Sequence, residues 1–279
     1  MKTVCIIQAR MSSTRLPGKV MMSLGSKIVL DHVVSRVRQS KYIDAVVVAT
    51  SENNADNLID TWCKTNKITV FRGSETDVLD RYYQAAIWSA ATTIVRITAD
   101  CPLIDPDVVD NVICEYVNSG CEAFGLSGEF PDGLDCQVFD FNAIKKAWTE
   151  AVLPSDREHV GSYIENTAKG DFNSGSIEIF KGLGHHRWTL DEPLDYEFLN
   201  KLVSGLTSYK VDFRTNDVLS YLKNNPNLSK INAKIKRNNG YISMRKINKK
   251  YSLNNIKNGS GNKLYKRAKE IIPGGTQLL

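Results

Sequence analysis

The chain has 279 residues, of which 42% are hydrophobic and 24% charged, a balance that excludes a disordered or fibrous polymer and leaves ample material for a buried core. No apolar run approaches the roughly 18–20 residues that cross a bilayer, and MKTVCIIQAR has neither a long apolar region nor a small-residue cleavage pattern, so membrane and secretory readings fall away. The formal charge of +5 is a sum of two unlike parts: Lys230 to Leu279 hold 13 Lys+Arg against Glu270 alone, a local +12, while residues 1–229 carry −7.

Along the first 120 residues, short β-branched runs alternate with amphipathic stretches, the pattern of β-α-β units on a parallel sheet. The pattern predicts strands at Val4–Ala9, Ala45–Thr50, Ile68–Phe71 and Ile94–Thr98. Helices are predicted at Ile28–Ser40, Ala55–Lys64, Asp77–Ala91 and Pro106–Tyr116, the last opened by proline with Asp105 as its N-cap. The middle reads as a strand at Cys136–Phe139, helices at Asn142–Ala151 and Arg157–Thr167, and strands at Ser176–Phe180 and His186–Leu190. Helices at Pro193–Val203 and Asn216–Leu222 follow, and Asn224-Asn225-Pro226-Asn227 is a loop signature. The Asn-, Lys- and Ser-rich stretch from Lys230 onward reads as a basic linker, giving a boundary between residues 1–229 and 230–279. Six cysteines lack C-x-x-C spacing, and His159, His185 and His186 do not complete a zinc pattern. Free thiols in a reducing cytoplasm account for them, so a cytoplasmic location is expected.

In a doubly wound parallel sheet, ligands bind outside the carboxyl ends of the strands, so the turns after the strands carry the chemistry. The first turn runs from Gln8 to Lys19 and brings Arg10, Arg15 and Lys19 together, with Ala9, Ser12 and Ser13 letting the backbone approach a ligand. Concentrated positive charge and many donors at a strand-to-helix turn suit a polyphosphate. The turn is neither a Walker A loop nor a dinucleotide fingerprint, and an exposed basic loop is the competing reading. The second turn places Asp100 directly after a strand. A carboxylate facing a triphosphate repels it unless a divalent cation lies between them, and because Asp105 already caps the next helix, Asp100 is read as a Mg²⁺ ligand. In the third turn Asp191 is placed to be the second metal carboxylate, with Glu192 and Asp195 serving the helix N-terminus.

These segments, Ile6–Lys19, Phe71–Tyr83, Ile97–Pro106, Pro131–Phe139, Asp156–Val160 and Arg187–Tyr196, together resemble the cytidylyltransferase family. More narrowly they resemble its spore coat polysaccharide biosynthesis protein F type, related to the synthetases of CMP-activated Kdo and sialic acid. The resemblance covers roughly residues 1–225 and implies a Rossmann-like, doubly wound α/β fold of the nucleotidyltransferase (GT-A-like) type. It implies CTP as substrate, with Arg10, Arg15 and Lys19 on the triphosphate and Mg²⁺ on Asp100 and Asp191. Arg81 falls near the nucleoside part of the family site, although a helix N-terminus explains its segment equally well. Asp132, Asp135, Arg157 and His159 fall where relatives contact the acceptor, expected to be a small anionic molecule such as an acidic sugar, a phosphate or a phosphonate. A homodimer is also implied.

Leu264–Thr276 is similar to the opening of glutamate-1-semialdehyde-type aminotransferases, which implies that an aminotransferase-like domain is missing after the linker. The competing functional reading is a nucleotide-binding scaffold whose basic tail, with Tyr241 and Tyr251 among its lysines, binds nucleic acid.

Overall fold

A computed structural model describes residues 1–237, of which Met1–Ala151 and Asp156–Arg237 form one compact unit. The strands are β1 (Thr3–Gln8), β2 (Ser23–Leu24), β3 (Lys27–Ile28), β4 (Ala45–Ser51), β5 (Thr69–Gly73), β6 (Thr93–Thr98), β7 (Ala123–Leu126), β8 (Gln137–Asp140) and β9 (Ser174–Ile177). The helices are α1 (Val29–Val37), α2 (Asn57–Thr65), α3 (Val78–Trp88), α4 (Pro106–Ser119), α5 (Phe141–Glu150), α6 (Pro154–Glu158), α7 (Pro193–Thr207) and α8 (Thr215–Asn224). Among the described residues none is long and apolar enough to cross a membrane.

Seven strands form one sheet in the order β5-β4-β1-β6-β8-β7-β9, parallel except that β8 runs against both β6 and β7. The runs TVCIIQ and AVVVATS are apolar on both faces because both faces are covered. Cys5 and Ile7 pack with Leu30 of α1, Ile59 of α2 and Val112 of α4, whereas Val4 and Ile6 pack with Leu79 and Tyr82 of α3 and Ile144 of α5. A third core joins α7 and α8 around Trp188, Phe198 and Phe213. The doubly wound, mostly parallel α/β fold is therefore the one expected.

Three expectations about elements are corrected. His186–Leu190 forms no strand; its extended backbone makes a single bridge, Asp132 to Arg187, and hydrogen-bonds to turns instead. The helix predicted over Arg157–Thr167 is broken into α6 and a π-helical turn at Tyr163–Thr167. Gly161 lies at the break, where its lack of a side chain weakens a helix and makes room for Gln137, whose Nε2 would be 3.0 Å from a Cβ there. The strand expected at Ser176–Phe180 is displaced to β9, which pairs with β7, a strand too short and glycine-containing to stand out in the sequence.

The chain keeps packing beyond the compositional boundary at 229. Asn232 is buried, donating from Nδ2 to the Arg187 carbonyl at 3.0 Å and to Asp195 at 2.9 Å. Arg237 lies over the Phe130 ring, 4.3 Å from its centroid. The aminotransferase-like segment, Tyr241 and Tyr251 lie outside the described residues.

Candidate active site

The connections from β1 lead to β4 and β5 on one side, while β6 lies on the other, so strand order reverses between β1 and β6. Ligands of such sheets bind at that reversal, and the turns after these two strands hold the cations and Asp100. Ala9 N–H continues the ladder to the Ala49 carbonyl at 3.1 Å, and Met11 N–H then donates to Asp56 Oδ1 at 2.7 Å. The Met11 carbonyl accepts from Ser13 N–H and Gly18 N–H, both at 2.9 Å, and Ser13 Oγ accepts from Leu16 N–H at 3.4 Å. The loop thus folds on itself until Gly18, at φ +72°, turns the chain and sends Lys19 inward. Ser12 lies close enough to Glu75 to help lower its pKa.

Asp191 reaches Asp100 through backbone contacts. Leu190 N–H donates to the Asp100 carbonyl at 2.8 Å, and Trp188 N–H and the His186 carbonyl bond with Asp132 at 2.6 and 3.0 Å. Gly133 permits this contact, since a Cβ there would stand 2.7 Å from the Trp188 carbonyl carbon. At the centre, Nζ of Lys19, a residue only 8% exposed, bonds to Asp100 Oδ2 at 2.6 Å and to Asp191 Oδ1 at 2.8 Å. Arg15 joins from outside, 3.0 Å from Asp191 and 3.1 Å from Glu192.

Burial alone opposes both charges at this centre, but the mutual attraction outweighs it: the Lys19 ammonium is held above its usual range and the Asp100 carboxyl below. Behind them Arg187 donates to Asp195 at 2.9 Å through both Nε and Nη2, to Asp132 at 2.8 Å and to Asp191 at 3.2 Å. Asp195, fully buried, also accepts the N–H groups of Asp191 and Glu192 at 3.0 Å, so it caps α7 as expected and fixes the backbone under Asp191. Burial and Asp135 push Asp132 up to about 6, against the pull of Arg237 and Arg187. Asp135 itself accepts from Gly133 N–H at 3.0 Å and is 3.4 Å from Arg237.

Arg10 pairs with Glu158 at 2.7 Å, beside His159. Arg157 points to Asp77 and Trp148 instead, donating from Nε to Asp77 at 2.8 Å and from Nη1 to the Trp148 carbonyl at 2.6 Å, which ties α6 to α3 and α5. Arg81 is buried, with Nη1 on the Ser74 carbonyl at 2.6 Å. The structure therefore gathers Arg15, Lys19, Asp100 and Asp191 into one cluster, joins Asp132 to it through Arg187, and leaves Arg81 and Arg157 in bracing contacts. Two contributors escaped the sequence reading. Arg187 could have been suspected from its place four residues before Asp191. Asp56 looks like any first-turn acid until Met11 N–H, Ser51 N–H and the Ser51 hydroxyl are found on it.

Asp100 and Asp191 are the residues that could hold Mg²⁺ here. No group of three His, Cys, Asp or Glu side chains is placed to hold a metal among the described residues; instead two carboxylates already share one cation, Lys19. That donor set suits an ion taking one or two carboxylates and completing its shell with water and phosphate oxygens.

Three buried or half-buried histidines carry a pH dependence. Burial lowers His32, His159 and His186, the last to about 4 with help from His185. Unfolded histidine titrates near about 6.5, so between that pH and about 4 the unfolded chain binds more protons than the folded one at His186, and stability is lost as pH falls. Asp132, raised instead, works in the opposite sense through the lower part of the range. The melting temperature should therefore fall between pH 7.5 and pH 5, and His186→Gln should fall less than wild type; parallel pH profiles for the two would remove His186 from the account.

The fold and the carboxylate-ringed basic loop at its switch point define an α/β nucleotidyltransferase. The cytidylyltransferase family model matches residues 4–202, and the chain belongs to that family, a class of CTP-dependent enzymes. The chain is 34% identical over 229 residues to spore coat polysaccharide biosynthesis protein SpsF of Bacillus subtilis, covering 79% of this chain and 94% of that protein. It is 28% identical over 193 residues to a 3-deoxy-manno-octulosonate cytidylyltransferase of Thermodesulfovibrio yellowstonii, covering 64% and 74%. A solved cytidylyltransferase structure from Leptospira borgpetersenii superposes with a TM-score of 0.78 at 33% identity, covering 85% of this chain and 100% of that one.

Proposed function

We propose that this enzyme transfers CMP from CTP to a small anionic acceptor, an acidic sugar or a phosphate or phosphonate, and releases pyrophosphate during synthesis of a surface polysaccharide or glycoconjugate. The observation that carries this reading is the sharing of Lys19 between Asp100 and Asp191 at the switch point, beside Arg15. An acceptor oxygen attacks the α-phosphorus, forming the new P–O bond while the bond to the bridging α–β oxygen breaks and its electron pair leaves with pyrophosphate. Such transfer depends on positioning and on meeting charge as it develops.

Arg10, Arg15 and Lys19 hold the β- and γ-phosphates and stabilise the leaving group, the last two exchanging carboxylate partners for phosphate oxygens. Ala9, Ser12 and Ser13 bring backbone close to the same phosphates, and Arg81 braces the nucleoside side. Asp100 and Asp191 would hold Mg²⁺, which supplies Lewis-acid polarisation of the phosphoryl group when bound. Asp132, Asp135, Arg157 and His159 border the acceptor side. The SpsF relationship supports the polysaccharide setting, and the homodimer belongs to the same reading.

The test is pyrophosphate release from each of four ribonucleoside triphosphates, with Mg²⁺, against panels of acidic sugars, sugar phosphates and phosphonates. CTP alone should support release, and only with an anionic acceptor. Equal turnover of another nucleotide, or of neutral sugars, would overturn the assignment.

A further inference from the structure

Around the switch point Arg10, Arg15, Lys19, Arg157 and Arg187 each face a carboxylate. Arg96 does not. From the middle of β6 it donates through Nη1 to Gln137 Oε1 at 2.7 Å and through Nη2 to Gln8 Oε1 at 3.4 Å, both neutral amide oxygens, and its buried Nε has no hydrogen-bond partner. Among the described residues it makes no ion pair; Glu165, hydrogen-bonded to the other end of the Gln137 amide, is near enough for the Arg96 charge to act on it without touching it.

Three neighbouring strands build this arrangement. Arg96 and Gln137 are register partners across β6 and β8, and Gln8 ends β1 on the other side. All three continue the face that carries Val4, Ile6, Ile94 and Phe139, at the end where that apolar core stops. Gln8 lies two residues before Arg10, whose pair with Glu158 leads to His159, and the Arg96 charge helps lower the His159 pKa. A partly buried guanidinium whose hydrogen bonds go only to neutral amide oxygens, with its buried Nε unpartnered, keeps its capacity for a charge-assisted contact to an anion. Its planar fork matches a carboxylate or phosphate, and Gln8 Nε2, which bonds none of the described residues, supplies a further donor.

We propose that Arg96, cradled by Gln8 and Gln137, anchors the anionic group of the acceptor, a carboxylate, phosphate or phosphonate, beside the phosphate loop. This inference rests on the cytidylyltransferase reading above and assigns it a specificity-determining residue. The cradle orients the acceptor by its charge, leaving another of its oxygens free toward the nucleotide.

Calorimetric titration of the full chain, with excess CDP and Mg²⁺ occupying the phosphate loop, tests it with three probes: inorganic phosphate, methylphosphonate and 3-deoxy-manno-octulosonate. The first two report a phosphoryl anchor and the third a sugar carboxylate. Wild type should bind at least one. Arg96→Gln should weaken that probe about tenfold to a hundredfold, the range of a lost charge-assisted contact, and Arg96→Lys should lose less. A parallel CTP titration reports the nucleotide half: absence of CTP binding to wild type defeats the underlying function, whereas normal CTP binding with no probe bound overturns the Arg96 anchor alone. Unchanged probe affinity in Arg96→Gln also overturns it. If circular dichroism shows that this variant does not fold, Arg96→Lys decides, because a point charge cannot replace the fork and unchanged affinity there is equally fatal.

Discussion

Asp100→Ala should lower pyrophosphate release by about a hundredfold to a thousandfold, the usual loss when one preorganised electrostatic contact to a transition state is removed. Asp100 is one of two carboxylates on Lys19 Nζ, at 2.6 Å, and its own backbone carbonyl receives Leu190 N–H at 2.8 Å. The substitution removes the side chain and leaves that backbone contact, so Asp191 stays in place and Lys19 keeps one partner. The fold should therefore survive, with the variant melting as a cooperative unit. On the proposed function CTP affinity should fall far less than turnover, because Arg10 and Arg15 would still meet the phosphates and the damage would be confined to charge that develops in transfer. Raising Mg²⁺ should recover part of the activity. Turnover within a few-fold of wild type at limiting Mg²⁺ would remove Asp100 from the reaction.

The parallel half of the fold is legible in the sequence because each of β1, β4 and β6 is an apolar β-branched run followed by an amphipathic helix, and every local preference agrees with the final structure. His186–Leu190 misleads because an extended segment buried against turns shows the same apolar residues as a strand. What distinguishes it is the partner, Asp132 and Asp100 rather than a neighbouring strand, and partners across the chain leave no local mark. Arg157–Thr167 carries helical spacing, but Gly161 and the packing of Gln137 against it divide the segment.

The same distinction governs the site. Arg10, Arg15, Lys19 and Asp100 are readable because they follow strands, where a doubly wound sheet exposes its ligand edge; Asp191 is readable because it follows an extended apolar run with a strand's composition. Asp56 and Arg96 are not, since one looks like a helix-opening acid and the other like a solvated strand residue. Their roles come from a loop N–H and from glutamines on adjoining strands. Charge composition points to a polyanion partner, yet within residues 1–237 the site cations are nearly all matched to acids, so on the proposed function an incoming nucleotide would act by exchanging partners in an existing network.

That network makes Arg187→Met the most destabilising change expected in the site. Arg187 is 7% exposed and holds three carboxylates, of which Asp195 has no exposure at all. Methionine fills much of the space and removes the charge, leaving Asp195 with only two backbone N–H groups and Asn232 Nδ2. Breaking a buried pair in this way costs about 3–5 kcal/mol, which denaturant unfolding measures directly. The cause is the stranded charge on Asp195, so Arg187→Met/Asp195→Asn should be more stable than the sum of its single changes predicts, by the non-additivity of about 0.5–3 kcal/mol that coupled partners show. Asp195→Asn alone keeps an oxygen to cap α7 and should cost less than Arg187→Met. Activity should fall in Arg187→Met even where the protein remains folded, because Asp191 loses the contact that holds its second oxygen at 3.2 Å. Strict additivity of the two substitutions would show that Arg187 acts through packing alone and that the carboxylates behind the site do not depend on its charge.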